Sequence, residues 1–448
     1  MANIAGAVVG TPIARPARSY HARGQVQVGR YQSGQKQMLT WLKPLGMVGL
    51  SLYNFVMRIV TLGIHHFWGK TEVRKRLWSA IRINGEPLEY TGTGGELFKG
   101  FLIVFFALLM PALLAVVAAT LAFGPDSHAV KAIQIGLYIG FLFLLGMAVY
   151  RAQRYRLSRT RWRGIRASLV GSSAAYAWTY FWTLALVPLT LGWISPWRST
   201  KLQSMMMNDM RFGSQPFAFT ASSRPLYKSY AAVWFVTAAM TAIATVAVIQ
   251  VFPTELMNID PETGAFPQPT PEQIGVILAI VYGAMFVVML AYMIMSAWYR
   301  AAMFRHFAEH TSFDRVGFSS TVSAGGFIWV SLSNFLIMLA GALLVTAVAG
   351  ALVWAFVGTA GLTPDQFAAA EDLEAKALMG SMVGSAVGFA FLLGLGMLVP
   401  VAQARATGYV VRNLQMKGTL DAERIAAGAP QDITRGEGLA QAFDVDAI

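Results

Sequence analysis

The chain contains no cysteine, which excludes disulfides, thiolate metal sites and cysteine nucleophiles. Charge is scarce as well. Only 13% of its 448 residues are Asp, Glu, Lys or Arg, against 56% apolar residues, and a mean hydropathy of +0.52 lies far from the soluble average. Acid is scarcer than base, 22 residues against 35. The longest apolar runs are almost free of ionisable side chains, with Gln134, Gln250, Asn334 and Gln403 as their notable polar groups. That scarcity argues against a pump coupled to protons or ions, which needs buried Asp, Glu, His or Arg, although it leaves a passive or lipid pathway open. Residues 1–10 are not expected to act as a secretory signal: they are apolar but short, carry no positive n-region, and lead into a basic tail rich in Pro, Gly and Gln.

What is present is a set of apolar runs separated by basic ones. Six runs of the roughly 20 residues that span a bilayer cover 100–123, 132–150, 229–252, 274–298, 327–357 and 379–403. They form pairs joined by short loops at 124–131, 254–273 and 358–377, which carry only Lys131 and Lys376 against several acids. The remaining Lys and Arg, apart from Arg58 and Arg435, gather at 14–43, 70–99, 151–166, 198–228, 299–315 and 404–424. Because positive loops stay in the cytoplasm, the pattern predicts six spans of an inner membrane, with both termini and the whole basic surface on its cytoplasmic side.

Two further runs, 45–68 and 174–197, have basic sequence on both sides. Full crossing would carry Lys70, Arg74, Lys75, Arg76 and the run 151–163 to the wrong face, so both read as re-entrant or inner-leaflet segments. Thr61-Leu62-Gly63 and Thr190-Leu191-Gly192 lie near their ends, with Pro44, Pro188 and Pro196 close by. Such residues interrupt a helix, and broken backbone at membrane depth needs cover from protein or a wet cavity.

Residues 61–99 align without a gap on 190–228, with ten identities in 39 positions, among them Trp68/Trp197, Arg82/Arg211, Pro87/Pro216 and Lys99/Lys228. A weaker third copy lies at 298–321, and SLYNF at 51–55 returns as SLSNF at 331–335. A self-similar period marks a repeated structural unit. The expected organisation is a mobile basic tail (1–37), unit one (38–150), unit two (151–298), a divergent unit three (299–403) and a cytoplasmic C-terminal tail (404–448). Within a unit, the Asn84-Gly85 pair between β-capable residues signals a tight hairpin. The fold class is therefore mainly α, with six transmembrane helices, two re-entrant segments, internal repeats and small cytoplasmic β-hairpins.

In TLGIHHFWGKTEVRKR (61–76), EYTGTGGELFKGFLI (89–103), SRTRWRGIRASL (158–169) and TLGWISPW (190–197), the chain resembles the YjgN-like family of bacterial inner-membrane proteins, domain of unknown function 898. The resemblance covers roughly residues 20–420. It implies the architecture and supplies no activity or catalytic residues. The third block departs from the family: AGALLV replaces the Thr-Leu-Gly break after SLSNF, which implies that the last unit spans.

Three motifs invite chemistry. His306, Glu309 and His310 match the H-x-x-E-H spacing of inverted zinc peptidases, yet a further carboxylate ligand is available only from Asp314, Asp421 or Glu423, and a solvated helix is the plainer reading. The loop 91–96 (TGTGGE) resembles a phosphate cradle before a helix but lacks the Gly-Lys-Ser/Thr ending; a turn into the membrane helix explains it. The basic clusters interleaved with Trp68, Trp78, Tyr150, Tyr155 and Trp162 share residue types with nucleic-acid sites, but beside membrane helices they point to orientation and anionic lipid. No nucleic acid and no cofactor are expected.

The functional expectation is a non-enzymatic inner-membrane protein that binds or organises anionic lipid, or docks a partner or a second copy, through its basic face. Its headgroup candidates are Arg74, Lys75, Arg76, Arg154, Arg156, Arg159, Arg161 and Arg163. The alternative is a passive transporter or channel whose path passes Asn54, Arg58, Thr61, Gly63, Thr190 and Gly192. A zinc hydrolase at His306, Glu309 and His310 is the remote third.

Overall fold

The structure, a computed structural model, describes residues 39–251, 270–359 and 373–418 together with Ile425. The N-terminal tail, most of the C-terminal tail and most of the loops expected at 254–273 and 358–377 lie outside these residues.

Helices dominate. A first strand β1 (Leu39–Trp41) leads into α1 (Met47–Val60) and α2 (His66–Ala80), then β2 (Ile81–Ile83), β3 (Glu86–Pro87) and β4 (Glu89–Tyr90). Next come α3 (Gly94–Phe123), which contains a π-helical stretch at Phe105–Leu109 just ahead of Pro111, and α4 (His128–Ser158). The wider π-turn accommodates a proline that offers no N–H. Strands β5 (Thr160–Trp162) and β6 (Ile165–Leu169) precede α5 (Ser173–Leu189), α6 (Ser195–Asn208), β7 (Met210–Phe212) and β8 (Gln215–Phe219). The rest is α7 (Arg224–Val251), α8 (Pro271–Glu309), β9 (Thr311–Phe313), β10 (Val316–Ser320), α9 (Ala324–Thr359), α10 (Leu373–Met397), α11 (Val399–Arg412) and β11 (Leu414–Lys417).

Among the described residues, six helical stretches are long and apolar enough to cross a membrane: α3, α4, α7, α8, α9, and the last from Gly384 through α10 into α11. They run further than hydropathy alone marks. α4 continues past Tyr150 through the basic run to Ser158, and α8 continues to Glu309. Cations in a final turn complement the negative helix end, and buried Tyr150, Ala152 and Tyr155 anchor the extension of α4. The AGALLV stretch lies inside the unbroken α9.

The breaks at 61–63 and 190–192 share one geometry. Thr61 donates its hydroxyl to Met57 O at 2.6 Å, closing α1, and accepts the His65 N–H at 2.9 Å, opening the next turn. Thr190 does the same between Leu186 O at 2.8 Å and the Ile194 N–H at 3.3 Å. Leu62 and Leu191 take φ of 49° and 47°, and Gly63 and Gly192 take 91° and 86°. Left-handed backbone costs a leucine about 1–2 kcal/mol, so the glycine takes the more extreme angle. A third interruption, at Leu398, separates α10 from α11. The helix after each interruption has nearly the same length: 15 residues in α2, 14 in α6 and 14 in α11.

The short strands form two antiparallel meanders in chain order, β1 to β3 and β4 to β11. β1 pairs with β2 and β2 with β3; β4, one residue further along the chain, pairs with β5, and the ladder continues in order to β11. Five equivalent backbone bonds tie the start of each helical excursion to its end: Leu42 N to Ala80 O (2.8 Å), Thr91 N to Arg159 O (2.8 Å), Val170 N to Asp209 O (3.0 Å), Thr220 N to His310 O (3.0 Å) and Thr321 N to Asn413 O (2.9 Å). The fold is thus five helical hairpins rooted side by side on a strand ring. Its ends meet, since β1 lies beside β11 and Met47, Leu50, Val73 and Leu77 of the first hairpin pack with Ala404 and Trp41.

Side-chain alternation gives the ring two faces. Ile83, Leu88, Trp162, Ile165, Phe212, Phe217, Phe313, Val316, Phe318 and Met416 converge in one cluster that also receives Ile425. The opposite face carries Arg82, Arg161, Arg166 and Arg211, because Trp162 is opposite Ile165 while Arg161 is opposite Arg166.

Candidate functional site: the basic strand face and the helix breaks

Most of the expected headgroup residues are engaged within the protein. Arg74 is buried and donates to the Tyr90 hydroxyl at 3.0 Å. Arg76 donates to the carbonyls of Leu45 and Gly46 at 3.3 and 3.1 Å. Arg154 donates to Gly171 O and lies over the Tyr150 ring at 5.2 Å. Arg159 pairs with Glu96 at 3.1 Å, and Glu96 also accepts from the Tyr155 hydroxyl at 2.8 Å. Arg163 donates to Glu86 at 3.0 Å and stacks over Trp162 at 5.0 Å. Arg156 is half-buried, and Lys75 is exposed. A charge-assisted bond to a carboxylate or carbonyl leaves a guanidinium less able to take up an external anion.

Arg161 differs. Its direct neighbours across the ladder are Glu89 on one side and Arg166 on the other. Like charges placed opposite each other destabilise a sheet, and neither arginine makes an ion pair among the described residues. Arg166 and Arg211 are exposed, and Arg211 is opposite Ser168, two residues along the strand from Arg166. Arg166 and Arg211 are not among the headgroup residues that the sequence suggests. The signal was the alternation of arginine with Ile165 and Phe212, which places them on one face only once the register is known.

The first break gathers Asn54, Arg58, Thr61 and Gly63 around His65. Asn54 is 2% exposed; its amide donates to Gly69 O at 3.5 Å and its oxygen lies 3.3 Å from His65 Nε2. At the second break, Tyr230 donates to Gly192 O at 2.8 Å and Trp234 to Leu191 O at 2.7 Å. Two carbonyls of the second apex are therefore met by side-chain donors, whereas the first apex closes on backbone bonds from Gly63 N–H to Arg58 O at 2.7 Å and from His66 N–H to Gly63 O at 3.0 Å.

The other two motifs have local explanations. Thr93 caps α3, accepting the Glu96 N–H at 3.3 Å, and a side chain at Gly94 would strike the Trp68 backbone at 2.8 Å, so the loop is shaped by close packing. His306 Nε2 lies 2.8 Å from Ser222 O, and His310 Nδ1 lies 2.8 Å from His306 O. Each ring thus donates to a backbone carbonyl, and among the described residues no three His, Cys, Asp or Glu side chains gather as metal ligands. Asp421 and Glu423 lie outside those residues.

Six long apolar helices above a ring of short strands define a multi-pass α-helical membrane protein. Residues 46–442 match the model of the family described as bacterial protein of unknown function (DUF898), and the chain belongs to that family. Among curated proteins it is similar to "Inner membrane protein YjgN" of Escherichia coli O157:H7, 26% identical over 146 residues, or 32% of this chain and 33% of the relative. The protein of that name from Escherichia coli K12 is 27% identical over 143 residues, again 32% and 33% of the two chains. The one from Salmonella typhimurium is 36% identical over 56 residues, 12% of this chain and 14% of the relative. The matches thus span about a third of these relatives' length or less. No solved structure matches the chain.

Proposed function

We propose that this is a non-enzymatic inner-membrane protein that binds anionic phospholipid at the basic outer face of its strand ring. The ring and both termini lie in the cytoplasm, and the first and third hairpins are re-entrant. Their apices support that placement: Leu62 is 94% exposed and Leu191 71% exposed, an arrangement that costs little only in hydrocarbon. Depth supports it too. The second apex bonds to Tyr230 and Trp234, 6 to 10 residues into α7, which is roughly 9–15 Å along that helix at its 1.5 Å rise and well short of the far side.

The opposed pair Arg161 and Arg166 carries the reading. Arg161 follows the end of α4 by three residues, about 10 Å of extended chain, so the pair sits where the field of an anionic leaflet is strong. Each near-surface charge contributes about 1 kcal/mol there, and a phosphate between two guanidiniums relieves their repulsion. The ring interior, filled by Trp162, Phe313, Val316 and Ile425, argues against a water-filled path through it. Native mass spectrometry of wild type and the double variant Arg161→Gln/Arg166→Gln with phosphatidylglycerol, cardiolipin and phosphatidylethanolamine tests the reading. The variant is expected to lose retention of the two anionic lipids by about 30-fold, the equivalent of roughly 2 kcal/mol, and to keep the zwitterionic one. Equal retention of all three by both proteins overturns it.

A further inference from the structure

We propose that the groove between α7 and α8 holds one acyl chain of a membrane phospholipid, inserted from the leaflet opposite the strand ring. This rests on the reading that the six long helices span the membrane, but not on the basic face. The groove has a volume of about 530 Å³ and is lined by Thr237, Thr241 and Thr245 of α7 and Met285, Met289 and Tyr292 of α8. Its wall on α7 runs from Thr237 to Ile249, about 18 Å at 1.5 Å per residue. One leaflet contributes about 15 Å of hydrocarbon, half of a roughly 30 Å core. The match in length selects a single chain of one leaflet as the occupant.

Chemistry narrows the ligand in the same direction. Thr241 and Thr245 donate their hydroxyls to the carbonyls of Thr237 and Thr241, both at 2.9 Å, so these two are spent within the helix, and among the described residues the only buried hydroxyl of the lining left without a partner is that of Thr237, at the end nearest the strands. The methionines supply a surface that adapts to a bent chain. Towards the ring the groove is closed. Trp234, one turn below Thr237, is bonded to Leu191 O and lies 5.7 Å from the Trp193 ring, and the rings of Tyr230 and Tyr299 meet at 5.3 Å. The aromatic floor is therefore the packing of α7 against α8 below Thr237 and Tyr292, beside the apex of the third hairpin. The acyl chain lies along the groove with its terminal methyl towards the aromatic floor.

A phospholipid carrying a photoreactive diazirine near the end of one acyl chain, in vesicles with the intact protein, provides the test. Adducts on the peptides holding Thr241 and Met289 should saturate and should be displaced by excess unlabelled lipid of any headgroup. Thr241→Phe, which fills the groove, should lower those adducts about tenfold, the equivalent of roughly 1.4 kcal/mol, while Thr241→Val leaves them unchanged. Labelling that neither saturates nor exceeds that at Leu113 and Leu121, exposed residues of α3, would show unspecific lipid contact and overturn the proposal. Saturation in wild type decides the matter even if Thr241→Phe fails to fold. The Arg161→Gln/Arg166→Gln protein should label like wild type, so failure of the basic-face reading and failure of the groove give different results.

Discussion

Asn334 donates its side-chain amide to the carbonyl of Ala402 at 3.1 Å, and Asn54 makes the corresponding bond to Gly69 at 3.5 Å. Ala402 and Gly69 are each the fourth residue of the helix that follows an interruption. One amide, buried at Asn54 and half-buried at Asn334, thus pins the upper helix of a hairpin to the lower, basic helix at two places on the ring. Interhelical bonds of this kind contribute on average about 0.6 kcal/mol and up to roughly 1.7. Asn334→Ala should lower unfolding free energy by about that average, and Asn54→Ala by more, because it also strands His65. Denaturant titration of the purified protein in mixed micelles measures both. Unchanged midpoints in the two variants would show that the bonds are incidental.

Close packing of α9 on α10 makes a second prediction. A side-chain carbon at Gly394 would lie 2.6 Å from the Ala342 Cα and 3.0 Å from the Val345 Cβ, and Ala342 is fully buried. Small residues let membrane helices approach this closely. Gly394→Val should destabilise by about 1–3 kcal/mol through overpacking, whereas Gly388→Val, where nothing lies within 4 Å, should be near neutral. Thermal midpoints of the pair in one detergent separate the two outcomes.

The apolar runs were legible because a helix of twenty apolar residues carries its own signal. Thr61-Leu62-Gly63 was legible because its chemistry is local: one hydroxyl ends a helix and starts the next, and one glycine takes the positive φ. The ring was not. Its strands are two to five residues long, and their partners lie up to about a hundred residues away, as with Ser320 and Leu414; short strands have little preference of their own. The basic residues misled for a related reason. Arg74 and Arg166 are alike as letters, yet one is fixed to Tyr90 inside the protein and the other faces outwards, a difference set by register and packing.

The aromatic interior of the ring yields a third prediction. Phe313 is 4% exposed and meets Phe217 at 4.7 Å and Phe212 at 6.0 Å, joining strands from separate hairpins. Phe313→Ala should cost about 3–5 kcal/mol, the range for deleting a buried ring. Ile425, 5% exposed in the same cluster, should cost about 2–5 kcal/mol as Ile425→Ala. Loss of protection in the strands, read by hydrogen exchange, distinguishes a loosened ring from a general loss of fold. Unaltered exchange in both variants would mean that the cluster does not hold the hairpins together.

The cysteine-free chain lends itself to a topology test, because each introduced thiol is the sole reactive site. Ser79 is exposed near the end of α2, Asp126 is 97% exposed between α3 and α4, and Leu62 is 94% exposed at the first apex. Lys and Arg crowd the Ser79 side, and positive loops are retained inside. A membrane-impermeant maleimide added to intact cells should therefore label Asp126→Cys and leave Ser79→Cys unlabelled, with the second thiol reacting only after the membrane is opened. Leu62→Cys should resist the reagent in both conditions, since a thiol in hydrocarbon stays protonated and out of reach of a polar probe. Labelling of Ser79→Cys from outside would reverse the orientation. Ready labelling of Leu62→Cys in opened membranes, at the rate seen for Ser79→Cys, would instead place the apex in water and remove the re-entrant reading.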